Sequence, residues 1–389
     1  MINTADGKYC ITGANDRTVR LWNPTRIDPV YKHNNSSFVK NNASQNFNGG
    51  GQSPLASSRV LPSALPIQTY TDGHVHPIYA LTTDRASTVL LSASERTLLS
   101  TDLVTAQAKR RFWGLTARIE YVACLGGGNS SNDDAAAYGL GEEIYASASY
   151  DSTIRLWDSR SRSNDPLMIL TDAKDAVTCV APAPNTGQGS EAQIITSSVD
   201  GRMRTYDLRM ARLITEDITS GEEECNRVPI TSFSLSSCTH GDYGSLVAAS
   251  CLDGIIRIWN RVGSSSTNDD GMRLDNNRKT KRRVHKLHSY HTSDKYKIGC
   301  AFTSDNKYII SGSECGGVAV YSVPENIEKS VRGRNDYGGT ATLNCHVGPT
   351  CSVATCPMIS RPSLVLSACY DGTAIVWTSR EKYDSCLDG

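Results

Sequence analysis

The sequence lacks several features that would place it in a functional class at once. Its 40 Lys and Arg residues balance 40 Asp and Glu residues over 389 positions, so no net charge favours nucleic acid or an anionic membrane as a partner. No uninterrupted apolar run approaches the roughly 20 residues that span a bilayer. The first ten residues, MINTADGKYC, have neither a basic flank nor an apolar segment, and we expect no signal peptide there.

Metal-binding and catalytic motifs are also missing. The 13 cysteines are odd in number and scattered, without a Cys-x-x-Cys pair, so we interpret them as reduced thiols rather than disulfides or zinc ligands. The sequence has no nucleophile elbow, no phosphate-binding Gly-Lys-Ser/Thr loop and no His-Glu-x-x-His helix. It therefore predicts a protein that is not an enzyme and has no cofactor, metal or small-molecule substrate.

What the sequence does contain is one pattern that recurs seven times. Residues 147–160, SASYDSTIRLWDSR, are its best preserved copy. The other six copies are TGANDRTVRLWN at 12–23, SASERTLLSTD at 92–102, TSSVDGRMRTYD at 196–207, ASCLDGIIRIWN at 249–260, SGSECGGVAVYSV at 311–323 and SACYDGTAIVWTS at 367–379.

Each copy predicts two strands joined by a tight turn. A short run ends in small residues, an Asp-Gly, Asp-Ser or Asp-Arg pair turns the chain in most copies, and a strand with period-2 alternation follows. An aromatic residue closes this strand in six copies, at Trp22, Trp157, Tyr206, Trp259, Tyr321 and Trp377, and Thr101 takes the place in the second copy. Seven such units predict an all-β, seven-bladed propeller with few helices.

The repeats fill nearly the whole chain. We predict one propeller domain over residues 1–379, with repeats ending near 23, 102, 158, 207, 260, 322 and 378, and a tail at 380–389. Polar insertions at 33–66, 126–141, 182–191, 263–283 and 324–342 predict flexible loops. Only three residues precede the first copy's TADGKYC, which predicts a truncated first blade. Two alternatives follow: the natural reading frame begins upstream, or the ring is open.

The copies resemble WD repeats, and this resemblance implies a hydrogen-bonded pin across the top of each blade. We letter the four strands of a blade a to d, from the innermost strand outward, so that each copy supplies strands b and c. The pin joins the strand-c Trp, a strand-b Ser or Thr, the Asp of the b–c turn and a His of the d–a loop, which connects one blade to the next. The residues that it implies are His346, Ser367, Asp371, Trp377, Ser147, Asp151, Trp157, Asp16 and Trp22. We interpret them as structural rather than catalytic, because the set satisfies a buried Trp N–H.

Three copies depart from this pin. Leu115 stands where the third copy should have its His. In the second and sixth copies His74 and His291 are present, but Glu95 and Cys315 replace the turn Asp. We expect the second and sixth blades to be held more loosely.

Longer segments resemble one family of WD-repeat proteins in particular. DGKYCITGANDRTVRLWNP at 6–24, YDSTIRLWDSRSR at 150–162, DAKDAVTCV at 172–180 and SVDGRMRTYDLRM at 198–210 are similar to the mitogen-activated protein kinase organizer family. This resemblance implies a scaffold that assembles components of the kinase cascade and is also found with the spliceosome. It implies a cytoplasmic and nuclear location, protein partners and an indirect association with RNA.

The top face of the ring is the first candidate binding surface, because the b–c turns and d–a loops meet there. The residues next to these turns and loops that we predict to contact partners are Asn15, Tyr150, Tyr370, Arg118, Asp175, Lys295 and Tyr296. Tyr and Arg are enriched at binding hot spots. The alternative is that some of them are merely solvated rim residues.

Two further surfaces are candidates. Arg160 and Arg209 follow the Trp-Asp and Tyr-Asp pairs at the position that docks the adaptor in substrate receptors of cullin-RING ubiquitin ligases. The alternative is that Asp158 and Arg160 form a surface ion pair worth under about 1 kcal/mol. The basic segment NNRKTKRRVHK at 276–286 is a candidate nuclear import signal or RNA-phosphate contact, or a solvated loop.

Overall fold

The structure is a computed structural model, and it describes most of the seven repeats. The described residues are 1–4, 7–24, 64–71, 73–84, 86–126, 143–183, 193–209, 212–217, 227–236, 244–261, 284–288, 291–323, 336–338, 341–344, 346–357 and 364–378. They form strands and turns but no helix. Within these ranges no helix is therefore long and apolar enough to cross a membrane.

Seven sheets follow one another along the chain, and each forms one blade. Blade 1 contains β1 (Ile2–Asn3), β2 (Cys10–Gly13), β3 (Val19–Trp22) and β4 (Gln68–Tyr70). Blade 2 contains β5 (Ala80–Thr83), β6 (Val89–Ala93), β7 (Leu98–Asp102) and β8 (Ala108–Phe112). Blade 3 contains β9 (Ile119–Cys124), β10 (Ile144–Ser149), β11 (Ile154–Asp158) and β12 (Met168–Leu170). Blade 4 contains β13 (Val177–Ala183), β14 (Gln193–Ser198), β15 (Arg202–Asp207) and β16 (Arg212–Asp217).

The last three blades differ in strand number. Blade 5 contains β17 (Ile230–Leu235), β18 (Leu246–Cys251), β19 (Ile256–Asn260) and β20 (His285–His288), with β24 (Asp336–Gly338) added as a parallel fifth strand. Blade 6 contains β21 (Cys300–Phe302), β22 (Tyr308–Gly312), β23 (Gly317–Ser322) and β25 (Ala341–Asn344). Blade 7 shows three strands within the described ranges, β26 (Thr350–Thr355), β27 (Val365–Cys369) and β28 (Ala374–Trp377). The predicted all-β, seven-bladed propeller is confirmed.

Alternation along each central strand divides its side chains between two blade interfaces. In β11, Ile154 and Leu156 pack in the cluster shared with blade 4, which includes Val177 and Ile194. Trp157 points to the opposite side and packs in the cluster shared with blade 2. Because both faces of a blade are covered in this way, nearly every residue of the strand is buried.

Four blades have a bulge near the start of the innermost strand, and two of the bulged residues bond to the next blade. The pairing register skips one residue at Glu120, Thr178, Thr231 and Cys351. The bulged Thr178 donates its hydroxyl to the Ile230 carbonyl of blade 5 at 2.9 Å. Thr231 does the same to the Ile298 carbonyl of blade 6 at 3.1 Å.

The ring is closed between blades 1 and 7. The Asn3 side-chain amide donates to the Thr355 carbonyl at 2.8 Å, so β1 lies against β26. The open ring proposed as one alternative is therefore not the arrangement seen. The prediction of a short inner strand in blade 1 agrees with the two residues of β1.

The predictions for two of the loops were partly wrong. The segment 324–342 was predicted to be flexible throughout, yet Asp336–Gly338 forms β24 against β20 and β25 begins at Ala341. The loop predicted over 182–191 begins inside β13, which extends to Ala183. An open strand edge can recruit a polar segment through backbone hydrogen bonds alone, which composition does not reveal. Most of the other predicted insertions, and the tail at 380–389, lie outside the described residues.

Candidate functional site

In several blades the b–c turn brings one residue beside the start of the innermost strand. The Tyr150 N–H donates to the Arg118 carbonyl at 2.9 Å in blade 3, and the Tyr370 N–H donates to the Pro349 carbonyl at 3.1 Å in blade 7. These bonds place the residue before the turn Asp next to the d–a loop, as predicted from the sequence. We call this end of the ring the top face.

Arg118 lies between two tyrosine rings at the boundary of blades 2 and 3. Its guanidinium carbon is 5.1 Å from the centroid of the Tyr79 ring and 5.2 Å from that of the Tyr150 ring. Cation–π attraction holds this stack together. Tyr79 is 42% exposed and Tyr150 is 60% exposed, so both rings remain available to a partner.

Glu120 and Lys297 hold this stack in place from beneath. The bulged Glu120 accepts the Arg118 Nε–H at 2.6 Å, and Lys297 Nζ lies 3.2 Å from Glu120 Oε2. Lys297 comes from blade 6 and also donates to the Glu120 and Thr178 carbonyls at 2.9 and 2.8 Å. A single ammonium therefore joins blades 3, 4 and 6 across the top of the central channel.

A second aromatic pair lies at the boundary of blades 6 and 7. The Tyr296 and Tyr370 rings have centroids 5.4 Å apart and a tilted geometry. Glu314 fixes Tyr296, because its Oε1 accepts the backbone N–H groups of Asp294, Lys295 and Tyr296 at 2.7, 2.6 and 2.9 Å. Burial alone would raise the pKa of Glu314, but these three hydrogen bonds lower it below its ordinary value.

Tyr370 lies close to the charged groups of the stack. Burial raises the pKa of its hydroxyl, and Cys351 and Glu120 add to this rise. We refer to seven side chains together as the top-face cluster. They are Tyr79, Arg118, Glu120, Tyr150, Tyr296, Lys297 and Tyr370.

The other predicted top-face residues lie around the rim. Asn15 is exposed in the b–c turn of blade 1. Asp175 is exposed too, but its carboxylate accepts the Ala176 N–H at 2.7 Å and so caps the start of β13. Lys295 is exposed in the loop that Glu314 holds. The structure thus brings Arg118, Tyr150, Tyr296 and Tyr370 into the cluster but leaves these three at its edge.

The pin of blade 7 contains one member more than the resemblance implied. Trp377 Nε1 donates to Ser367 Oγ at 2.8 Å, and His346 Nε2 lies 2.8 Å from the same hydroxyl. The other ring nitrogen of His346 contacts Thr373 Oγ1 at 2.8 Å, and Thr373 in turn donates to Asp371 Oδ1 at 2.6 Å. Thr373 therefore links His346 to Asp371.

In blades 1 and 3 the predicted pin is not one connected set of hydrogen bonds, because the Trp and the Asp have different partners. Trp22 donates to Thr12 at 2.8 Å, and Trp157 donates to Ser147 at 2.9 Å. Asp16 and Asp151 are not part of these bonds. They pair instead with the strand-c arginines four residues later.

This Asp–Arg pairing recurs in four blades. The N···O distances are 2.6 Å for Asp16–Arg20, 3.0 Å for Asp151–Arg155, 2.5 Å for Asp200–Arg204 and 2.6 Å for Asp253–Arg257. The sequence signal is the spacing Asp-x-x-x-Arg, which places both side chains on the same face of the hairpin. Sequence reasoning missed it because the resemblance assigned the Asp to a His.

His346, Cys369 and Asp371 are the residues in the described part of the chain that could together hold a metal ion. Their ligand atoms lie within 4.8 Å of one another. Both ring nitrogens of His346 already contact hydroxyls, and Asp371 Oδ1 accepts the Thr373 hydroxyl. The geometry therefore suits the pin, and the absence of a metal site stays a prediction.

Two of the d–a loop histidines predict an acid sensitivity of the fold. Burial lowers the pKa of His74 and of His291 to about 4. Since an unfolded His titrates near 6.5, the unfolded chain binds more protons between these values, and stability that is complete above about pH 6.5 falls as the pH approaches about 4. We expect the free energy of unfolding in urea to fall by about 2–3 kcal/mol per histidine between about pH 7 and about pH 4.5.

The variant His291→Gln tests this assignment. It should reduce the pH dependence by the contribution of one histidine, and His76→Gln, at a half-exposed position, is the matched control. Equal slopes for His291→Gln and the unchanged protein would rule out His291 as a cause of the pH dependence.

The opposite face carries the two arginines that suggested a ligase adaptor. Arg160 is engaged with its own neighbour, because its Nε lies 3.1 Å from Asp158 Oδ1 and its Nη2 3.3 Å from Oδ2. Arg209 is exposed, and its backbone N–H donates to Asp207 Oδ1 at 3.1 Å. The ion-pair alternative therefore describes Arg160 in this structure.

The basic segment 276–286 lies mostly outside the described residues. Its last two members, His285 and Lys286, belong to β20. The structure thus places the end of the segment in blade 5.

Comparison with known protein families shows which kind of repeat this chain contains. The profile of the WD domain, G-beta repeat family matches residues 2–23, 136–158 and 225–260, which include the b–c hairpins of blades 1, 3 and 5. Together with the seven blades, this match shows WD40 repeats that fold as a β-propeller. Proteins with this fold are typically interaction scaffolds without catalytic activity.

Three known proteins are similar to this chain over long segments of its sequence. WD repeat domain-containing protein 83 homolog of Dictyostelium discoideum is 25% identical over 342 residues, covering 82% of this chain and 79% of the relative. WD repeat domain-containing protein 83 of Rattus norvegicus is 28% identical over 166 residues, covering 43% and 41%. Target of rapamycin complex subunit wat1 of Schizosaccharomyces pombe is 23% identical over 200 residues, covering 51% and 53%.

Proposed function

We propose that this chain is a non-enzymatic scaffold that binds protein partners through the top-face cluster. The observation that carries the proposal is the Tyr79–Arg118–Tyr150 stack, which Glu120 and Lys297 hold across the channel. Tyr and Arg dominate binding hot spots because they offer large contact areas with polar ends. A stack that is already ordered loses little conformational entropy on binding.

The partners that we propose are components of the mitogen-activated protein kinase cascade, spliceosomal proteins in pre-mRNA splicing, or both. The resemblance of residues 6–24, 150–162, 172–180 and 198–210 to the kinase organizer family supports this. The similarity to WD repeat domain-containing protein 83 homolog over 82% of the chain also supports it. The same resemblance supports a cytoplasmic and nuclear location and an indirect association with RNA.

A relative that is a complex subunit favours a role within an assembly. The fission yeast protein is, by its name, a subunit of a target of rapamycin complex, and it matches 51% of this chain. This similarity supports a role as a stable subunit of an assembly rather than as an enzyme that contacts its substrates only briefly.

Proximity labelling followed by mass spectrometry tests the proposed partners. A promiscuous biotin ligase fused to the full chain should enrich cascade kinases, splicing factors or both over the ligase alone. Enrichment of splicing factors without any kinase would remove the cascade role. Enrichment of neither class would overturn the proposed function.

The alternative function is that of a substrate receptor in a cullin-RING ubiquitin ligase, through Arg160 and Arg209. Because Asp158 already binds the Arg160 guanidinium, we expect Arg160→Ala to leave any pull-down of the ligase adaptor unchanged. Arg209→Ala is the matched variant on the adjacent blade. Loss of adaptor binding in either variant would favour the ligase function.

A further inference from the structure

An open depression of about 350 Å³ lies on the top face between blades 2 and 3. Its lining consists of Tyr79, Glu95, Arg96, Thr116, Ala117, Arg118 and Tyr150. The Arg118 stack thus forms one wall of this depression, and the two-residue turn at Glu95 and Arg96 forms the other. Backbone hydrogen bonds hold both walls, since Ser94 N–H donates to the Thr97 carbonyl at 2.9 Å and Tyr150 N–H to the Arg118 carbonyl at 2.9 Å.

Nearly all the charged groups around this depression already have partners. Glu95 lies 3.2 Å from His76 Nδ1, and Glu120 binds both Arg118 and Lys297. Thr116 donates its hydroxyl to Asp151, whose carboxylate also pairs with Arg155 at 3.0 Å.

Arg96 is the exception. Its side chain is exposed at the tip of the blade 2 turn, and it forms no ion pair with any residue that the structure describes. In blades 1, 3, 4 and 5 an Asp of the turn binds a strand-c arginine four residues later. Blade 2 has Glu95 instead, and Leu99 stands where that arginine would be. The blade 2 turn therefore presents an unpaired cation instead of a neutral Asp–Arg pair.

We propose that this depression binds the carboxylate of an acidic side chain in an extended segment of a protein partner, with Arg96 as its ion-pair partner. The inference rests on the proposed function, because it names the partner chemistry for one side of the top-face cluster. Arg96 supplies the guanidinium, and the Tyr79 and Tyr150 rings cover the aliphatic part of the acidic side chain.

The charge of the depression favours a carboxylate over a phosphate. The lining and its supports contain the cations Arg96, Arg118 and Lys297 and the anions Glu95 and Glu120, so their net charge is that of one cation. A carboxylate carries one negative charge, whereas a phosphoserine carries about −1.5 to −2 at neutral pH and would leave negative charge without a partner.

Fluorescence anisotropy with labelled peptides tests this proposal on the full chain. The probes are fluorescein-labelled peptides of alternating Gly and Glu, with matched Gln, Lys and phosphoserine versions. We expect binding of the Glu peptide and no binding of the Gln and Lys peptides. The variant Arg96→Gln should weaken binding of the Glu peptide about tenfold, and Tyr150→Ala should weaken it as well.

The variant Arg162→Gln is the control, because it removes the same charge from an exposed position in the loop between β11 and β12, at the opposite face. It should leave binding of the Glu peptide unchanged. No binding of the Glu peptide, or equal loss in Arg96→Gln and Arg162→Gln, would overturn the carboxylate site. Tighter binding of the phosphoserine peptide with the same dependence on Arg96 would replace carboxylate by phosphate and overturn the assignment.

Proximity labelling separates this inference from the function on which it rests. If Arg96→Gln labels the same partners as the unchanged protein while Tyr150→Ala with Arg118→Ala loses them, the carboxylate site is wrong and the scaffold function stands. If Arg96→Gln loses a subset of partners, the site is supported.

Discussion

Replacing Trp157 with Ala should lower the free energy of unfolding by about 4 kcal/mol, the middle of the range for a buried aromatic residue. The side chain is completely buried, and its ring centroid lies 5.3 Å from that of Phe112 in blade 2. Its Nε1–H donates to Ser147 Oγ at 2.9 Å, and that hydroxyl is buried as well. The substitution therefore opens a cavity between two blades and removes the partner of a buried polar group.

Trp377→Ala is the matched control for this prediction. Trp377 makes the same hydrogen bond, to Ser367 at 2.8 Å, but its ring is only partly buried. Urea unfolding should show less than half the loss seen for Trp157→Ala. Equal losses would mean that the pin hydrogen bond, rather than packing between blades, determines the effect.

Replacing Arg204 with Met should destabilise the protein by about 3–5 kcal/mol. The side chains of Arg204 and Asp200 are only 3% and 10% exposed, and they form a two-point ion pair with N···O distances of 2.5 and 3.2 Å. Burial by itself raises the pKa of Asp200, and Arg204 is the main cause that lowers it below its ordinary value. Without Arg204 the carboxylate is left buried and charged.

Three comparisons test this explanation by urea unfolding. Arg20→Met breaks the equivalent pair in blade 1, where the side chains are 32% and 46% exposed, and should cost under about 1 kcal/mol. The double variant Asp200→Asn with Arg204→Met should recover part of the loss, because no buried charge remains.

The third comparison uses pH. The deficit of Arg204→Met should shrink as the pH falls toward about 5, because the unpaired carboxyl, now with a raised pKa, takes up a proton. A deficit that does not change with pH and is not relieved in the double variant would contradict the ion-pair account.

The repeats predicted the fold because each copy contains a complete local signal. The turn pair, the period-2 alternation and the closing aromatic residue all lie within about a dozen residues, as in 147–158. Even the degenerate second copy forms a regular hairpin, with Ser92 opposite Leu99. Its strands need only alternation and burial, and both are present without the Asp or the Trp.

Only about half of the residues in the top-face cluster could be predicted from the sequence. Tyr150 and Tyr370 could be placed because they precede a turn Asp, and Arg118 because it precedes an innermost strand. Tyr79 and Lys297 join the cluster from blades 2 and 6, and their contacts with blade 3 depend on how the blades pack around the ring. Glu120 reaches Arg118 because it is the bulged residue of β9, and no local pattern of the sequence marks that bulge.

The Asp–Arg pairs show a second reason why the sequence did not predict every contact of the structure. Their spacing is visible in the sequence, as in Asp200 and Arg204, but the resemblance to WD repeats had already assigned the Asp to a pin with His. In blade 4 the arginine reaches the turn and the carboxylate pairs with it at 2.5 Å. The d–a loop before blade 4, TDAKDA at 171–176, contains no His, so Arg204 is the partner that this blade offers to the carboxylate.

The most direct test of the account compares partner labelling by the full chain with and without the arginine stack. The variant Tyr150→Ala with Arg118→Ala removes the stack, whereas Arg162→Ala changes an exposed residue at the opposite face. Loss of hot-spot residues worth about 2 kcal/mol corresponds to about 30-fold weaker binding. We predict that the stack variant loses most labelled partners at an unchanged midpoint of thermal unfolding, and that Arg162→Ala retains them. Retention of all partners by the stack variant would contradict the claim that the top face binds them.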